Sequence, residues 1–201
     1  IHALTVCCHE LPLSTSRCLD SMIQKMSQIV TQSQVAIHIL EFLAGLSRMP
    51  DLYKNFHEND FKMVFGVCFR YLQSVRDQRE RASNQGSSQS SQGALRHSGP
   101  SRDLAAASKQ DMKTRSRSAT DDLPQYVHAL AFHVICFWFM TLKLQDREKY
   151  KEWIAKNLTY TDSSGREIID DYGVVTIDMM CRVAWSDRDE TATDPDFAKP
   201  S

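Results

Sequence analysis

Imidazoles and thiols crowd the start of the chain: His2, Cys7, Cys8 and His9 are the ligand types that a zinc site uses. Successive residues of a helix diverge by roughly 100°. Adjacent Cys7 and Cys8 therefore cannot close on one ion, and no second ligand pair follows at zinc spacing. These residues are expected to be structural cysteines and surface histidines, with no metal. His128 and His133 do not share a helix face and are expected at a helix boundary with local hydrogen bonds. Asp121 with Asp122, and Asp170 with Asp171, form neighbouring carboxylates with no histidine or second carboxylate placed to face them. Helix N-terminal placement explains the Asp121–Asp122 pair. The chain has no phosphate-binding glycine loop, no GxSxG and no HExxH. No catalytic residue, cofactor site or metal site is expected, and the chain reads as a non-enzyme.

One polar string carries a different chemistry. In RSRSAT (115–120), Arg115 and Arg117 precede Thr120 in an R-x-R-x-x-T arrangement, and the same arginines precede Ser118. Basophilic kinases pair such arginines with acidic pockets in an extended substrate. Thr120 and Ser118 are the candidate phosphorylation sites.

The elements that must hold these residues are helical. Leu19, Met22, Ile23, Met26, Ile29 and Val30 repeat at helical spacing, as do Phe61, Val64, Phe65, Cys68 and Leu72. Tyr150, Trp153, Ile154 and Leu158 mark a third stripe. The spacing predicts a further helix after Ser164, with a capping box from Ser164 to Glu167 and an apolar face through Tyr172, Val175, Met179, Met180 and Val183. VAIHILEFLAGL (35–46) and VHALAFHVICFWFM (127–140) are apolar nearly all round, as in helices covered on more than one side. Pro50 is expected to close the first of these, and Pro124 to lie near the start of the second. Phe65, Phe137, Trp138 and Trp153 are candidate core residues. No alternating strand is evident. The fold class is all-α, read as an α-solenoid of stacked antiparallel helix pairs of the HEAT or armadillo type.

Composition sets the organisation. Residues 81–120 are rich in Ser, Gln, Arg and Gly and lack aromatic side chains, so they cannot offset the entropy of ordering and read as a disordered insert. The helical parts are then 1–80 and 121–186, with a flexible tail at 187–201. The 42% hydrophobic and 24% charged shares with a net charge of -1 argue against nucleic acid as a partner. A bilayer span takes about 18–20 apolar residues. His128, His133 and Lys143 interrupt the stretch around Phe137, so no membrane span is expected. Six cysteines without a regular framework suit a reducing compartment, and cytoplasmic location is expected. The start at Ile1 without a leader reads as a piece of a longer chain.

Residues 19–72, above all ILEFLAGLSRMPDLYKNF, and 126–158, with YVHALAFHVICFWF and KEWIAKNL, resemble the central helical region of the tuberin family. IDMMCRVAWSD (177–187) is similar to the segment that closes that region. The insert at 81–120 is longer than the family's connection between these blocks, and the connection after Leu158 is short where some members have a long one. The resemblance implies an α-solenoid in a large cytosolic complex with hamartin, recruited to membranes as part of that complex. Its activity would be to stimulate GTP hydrolysis on Rheb and so restrain TOR growth signalling. The activating module of such proteins is a separate α/β domain with no counterpart here. The chain is therefore expected to be a scaffold that contacts hamartin or another tuberin chain, with Rheb reached only through the absent module. The alternative is an independent helical adaptor, binding a partner helix in a groove lined by Phe61, Phe65 and Trp153.

Overall fold

A computed structural model describes residues 1–88, 118–162 and 164–186 of the chain. Nine helices and one small hairpin make up these residues: α1 (His2–Glu10), α2 (Pro12–Ser16), α3 (Leu19–Ile29), α4 (Ser33–Leu46), α5 (Pro50–Tyr53), α6 (Glu58–Ser88), α7 (Ser118–Thr141), α8 (Leu144–Leu158), β1 (Thr159–Thr161), β2 (Glu167–Ile169) and α9 (Asp171–Ser186). The all-α reading holds, with little sheet.

Helix α7 organises the rest. It packs against α4, α6 and α9, and Val127, Leu130, Ala131, Phe132, Val134, Ile135, Trp138 and Phe139 from its length are buried, as is Leu142 just past its end. Being apolar nearly all round is what such a three-sided setting requires. Residues Leu123–Thr141 are in fact long and apolar enough to cross a bilayer, which the interruption by His128 and His133 was expected to prevent. Half of that stretch is buried inside the protein. Helix α4 supplies the facing layer through Ala36, Ile39, Leu40, Leu43 and Leu46, while its His38 and Glu41 stay on the surface. Helix α3 adds Leu19, Ile23 and Met26 from one stripe against α6.

Helix ends explain several departures from the sequence reading. Pro50 opens α5 at a position where a missing amide hydrogen costs little, whereas α4 has already ended at Leu46. Pro124 lies inside α7. At the start of α6, the Asp60 carboxylate accepts the His57 amide at 2.7 Å, half of a capping box. That helix continues to Ser88 and α7 begins at Ser118, so both reach into the segment that composition assigned to disorder. The remainder of that segment, 89–117, and the tail 187–201 lie outside the described residues.

The expected helix start at Ser164 is a turn instead. Asp162 Oδ1 accepts the amides of Ser164 at 2.8 Å and Arg166 at 2.9 Å, an arrangement that competes with helix formation. Gly165 follows at φ +79°, a left-handed conformation that glycine adopts freely. The turn pairs Thr159 with Ile169 and Thr161 with Glu167 in an antiparallel hairpin. Glu167 is thus a strand residue, and α9 begins only at Asp171.

Candidate functional site

Aromatic rings form a ladder from the middle of the protein to its surface. Trp138 is fully buried, and its indole Nε1–H donates to the Leu43 carbonyl at 2.9 Å. Around it lie Tyr53 at 5.1 Å between centroids, Phe56 stacked at 6.0 Å and Phe61 edge-on at 6.1 Å. The series continues from Phe61 to Tyr150 at 6.4 Å, Tyr150 to Phe65 at 5.9 Å, Phe65 to Trp153 at 6.2 Å and Trp153 to Phe69 at 5.4 Å. Edge-to-face pairs at these distances each add about 0.5–1.5 kcal/mol beyond simple burial. Helical spacing produces the ladder. Phe61, Phe65 and Phe69 recur every fourth residue on α6, and Tyr150 and Trp153 every third on α8.

At the surface end the rings are only half buried, at Phe56, Phe61 and Trp153. Two adjoining hollows flank them. One of about 260 Å³ is lined by residues that include Tyr53, Phe56, Phe61 and Leu142. The other, about 320 Å³, is lined by Lys62, Lys149, Tyr150, Glu152, Trp153 and Lys156. Glu58 lines the first of them. Its carboxylate bonds Lys149 at 2.7 Å and also Lys62, and these lysines hold it well below the usual range, at about 2. The Tyr150 hydroxyl donates to the Glu58 carbonyl at 3.1 Å. Burial pushes that phenol up to about 12, so it remains a neutral donor. Lys62 Nζ lies 5.8 Å from the centre of the Trp153 ring.

The polar groups singled out by their chemistry lie elsewhere. His128 is buried within α7 rather than at a helix boundary. Its Nε2 comes within 3.2 Å of Asp170 Oδ2 but lacks hydrogen-bond alignment. Asp170 therefore does face a histidine, across 42 residues of sequence that no local spacing rule covers. Burial pushes the His128 imidazole below its ordinary 6.5, against the opposing pull of Asp170 and with the help of Arg79 and Arg76. Arg76 itself stacks over Tyr160 at 4.1 Å. His133 is exposed. At the amino end Cys8 is buried while His2, Cys7 and His9 are exposed. Among the described residues no three His, Cys, Asp or Glu side chains gather as a metal site would need. Arg147, which sequence reasoning passed over, is buried in α8 and donates to the carbonyls of Met140, Leu142 and Val183. A single arginine among surface lysines gives no sequence signal of this.

Of the candidate core residues, Trp138 and Phe65 are fully buried, whereas Phe137 and Trp153 are half buried. One residue before Trp138 on α7, Phe137 turns outward to lie under the Arg48 guanidinium at 5.9 Å. Phe65 lies beneath the groove rather than lining it. Ser118 and Thr120 fall in the first turn of α7, and Arg115 and Arg117 lie outside the described residues.

The tuberin family model matches residues 1–79, from α1 through most of α6. The tuberous sclerosis 2 protein homolog of Schizosaccharomyces pombe is 31% identical over 189 residues, which cover 94% of this chain and 12% of that protein. This chain carries a tuberin-type region. No solved structure matches it. Both sides of the aromatic ladder fall within the similarity to the yeast protein, because 189 matched residues must include α6 as well as α7 and α8. The tuberin-type chain spans only 12% of the curated relative's length. Half-buried rings lie over a buried aromatic interior, with lysines around them.

Proposed function

We propose that this tuberin-type chain is a non-catalytic helical scaffold segment of a tuberin-like GTPase-activating protein. In this reading it is an α-solenoid segment that positions a separate activating domain and contacts hamartin or a second tuberin chain. The assembled complex works in the cytoplasm, or on membranes to which it is recruited, and restrains Rheb and TOR growth signalling. The observation that carries the reading is the extent of the yeast similarity, which runs over 94% of the chain and so across helices on both sides of the polar segment. A scaffold role also suits the way polar side chains are used. Arg147 and Glu58 tie helices to one another.

Co-purification of the chain with hamartin, alongside a Rheb GTP-hydrolysis assay, tests the reading. Retention of hamartin without faster hydrolysis is the expected result. Faster hydrolysis by the chain alone would refute the non-catalytic role, and failure to retain either hamartin or tuberin would refute the assembly role. Ser118 and Thr120 are proposed as kinase acceptors on the strength of the arginines that precede them in RSRSAT (115–120). Mass spectrometry after treatment with a basophilic kinase should find phosphate on one of them. The half-exposed Phe61 and Trp153 favour a second reading, an independent adaptor that binds a partner helix.

A further inference from the structure

The groove between α6 and α8 has a charge pattern that specifies its occupant. Five lysines line its two hollows, Lys54, Lys62, Lys143, Lys149 and Lys156, against three acids, Glu58, Asp146 and Glu152. The chain as a whole carries a net charge of -1, so this face is locally opposite in sign to the protein. Glu58 already holds Lys62 and Lys149. Lys54, Lys143 and Lys156 have no ion-pair partner among the described residues. Lys54 and Lys143 stand at one end of the groove and Lys156 at the other, and the interval from 143 to 156 covers about 20 Å of helix.

The floor supplies the second half of the specification. Phe56 and Phe61 open into the first hollow and Trp153 into the second. The two hollows share Lys149 and Tyr150, which places them on consecutive turns of α8. Side chains entering both from one partner helix must therefore be about one turn apart, at i and i+3 or i+4. A third helix seats by setting its side-chain ridges into the grooves that neighbouring helices leave.

We propose that this groove docks an acidic amphipathic helix of about four turns. It presents two bulky apolar residues one turn apart to the hollows of Phe61 and Trp153. Its aspartates or glutamates meet Lys54 and Lys143 at one end and Lys156 at the other. The assignment rests on the interaction role proposed above, but its test requires neither hamartin nor Rheb, so the two fail separately.

The test is selection from a displayed library of randomised helical peptides on the full 201-residue chain, in parallel with the double variant Lys143→Glu, Lys156→Glu. Both lysines are exposed, so the variant should keep the wild-type circular dichroism and melting temperature. Peptides enriched on the wild-type chain should be acidic, with paired apolar residues one turn apart. In fluorescence anisotropy a synthetic copy of the most enriched peptide should bind the variant at least about tenfold more weakly. Raising salt should weaken its binding to the wild-type chain. Trp153→Ala should weaken it as well, through the hollow rather than the rim. Enrichment of neutral or basic peptides, equal binding to the variant, or no enrichment at all would overturn the proposal. Concentration-dependent dimerisation that the double variant abolishes would assign the groove to a second copy of the chain, and would also overturn it.

Discussion

Replacing Arg147 by methionine tests whether one buried cation holds three helices together. Arg147 is 8% exposed. Its Nε donates to Leu142 O at 3.2 Å, Nη2 to Met140 O at 3.2 Å and Nη1 to Val183 O at 3.1 Å. Two of these carbonyls lie at the C-terminal end of α7 and the third in the last turn of α9, where helix carbonyls lack intrahelical donors and the dipole is negative. Hydrogen bonds to a charged group contribute about 1.5–3 kcal/mol each. Methionine recovers part of that sum because it removes the cost of burying a guanidinium. The expected net loss is about 2–4 kcal/mol, a large part of a total stability of roughly 5–15 kcal/mol. Urea unfolding followed by far-ultraviolet circular dichroism measures it. Hydrogen exchange should show α9 amides losing more protection than those of α3, because one of these bonds ends on α9. Arg147→Lys should fall between wild type and methionine, because an ammonium cannot reproduce the planar fork. A methionine variant within about 0.5 kcal/mol of wild type, or one whose α9 keeps its protection, would refute the reasoning.

Three further perturbations address separate parts of the fold. Trp138→Ala should cost about 3–5 kcal/mol by leaving a cavity among Tyr53, Phe56 and Phe61, and Trp138→Asp should abolish cooperative folding through an unpaired buried charge; a soluble aspartate variant with a sharp urea transition would contradict the burial. His128 has its pKa depressed by burial, so at low pH the unfolded chain binds a proton that the folded chain resists. Stability should therefore be present above the ordinary 6.5 and fall as pH drops below it, and His128→Gln should flatten that dependence in urea titrations across this range. Gly173→Ala would set a methyl 2.8 Å from Ile169 Cγ2, so its melting temperature should fall despite alanine's better helix propensity, with an overpacking cost of about 1–3 kcal/mol.

The parts of this molecule that sequence makes legible are those that rest on periodicity. Leu19, Ile23 and Met26 repeat at helical spacing and are buried on one face of α3. AFHVICFWFM holds one polar residue, His133, and that residue is exposed, as is Met140 at the end of the run. What escapes is decided by single contacts. The strands TYT and EII are three residues each, too short to show alternation, and the turn between them depends on the Asp162 carboxylate and Gly165. Ser164 and Glu167 have the spacing of a capping box, yet Asp162 takes the amides that a helix start would need elsewhere. His128 and Asp170 meet only because α7 and the start of α9 are packed together. The lysine rim is illegible for the same reason, since Lys54, Lys62 and Lys143 come from different elements.

The ladder's two ends answer different physical demands, and the lysines reconcile them. Apolar area left in water forfeits about 25 cal/mol per Å², so half-buried Phe61 and Trp153 cost stability unless something covers them. Long lysine side chains can lay their methylene stems over such rings while keeping the charge in water. Glu58 bonds Lys62 and Lys149 at once, and Lys62 lies 5.8 Å from the centre of the Trp153 ring. Its carboxyl is depressed to about 2, so the contribution of this clasp is present above the ordinary 4.5 and lost only as pH falls through that range toward about 2. At neutral pH the clasp is thus formed. A docking helix must replace the lysine stems over the rings while supplying carboxylates to the unpaired lysines. Affinity then reflects an exchange of covers rather than the whole aromatic area, and selectivity for acidic partners should exceed what the ring contacts alone provide.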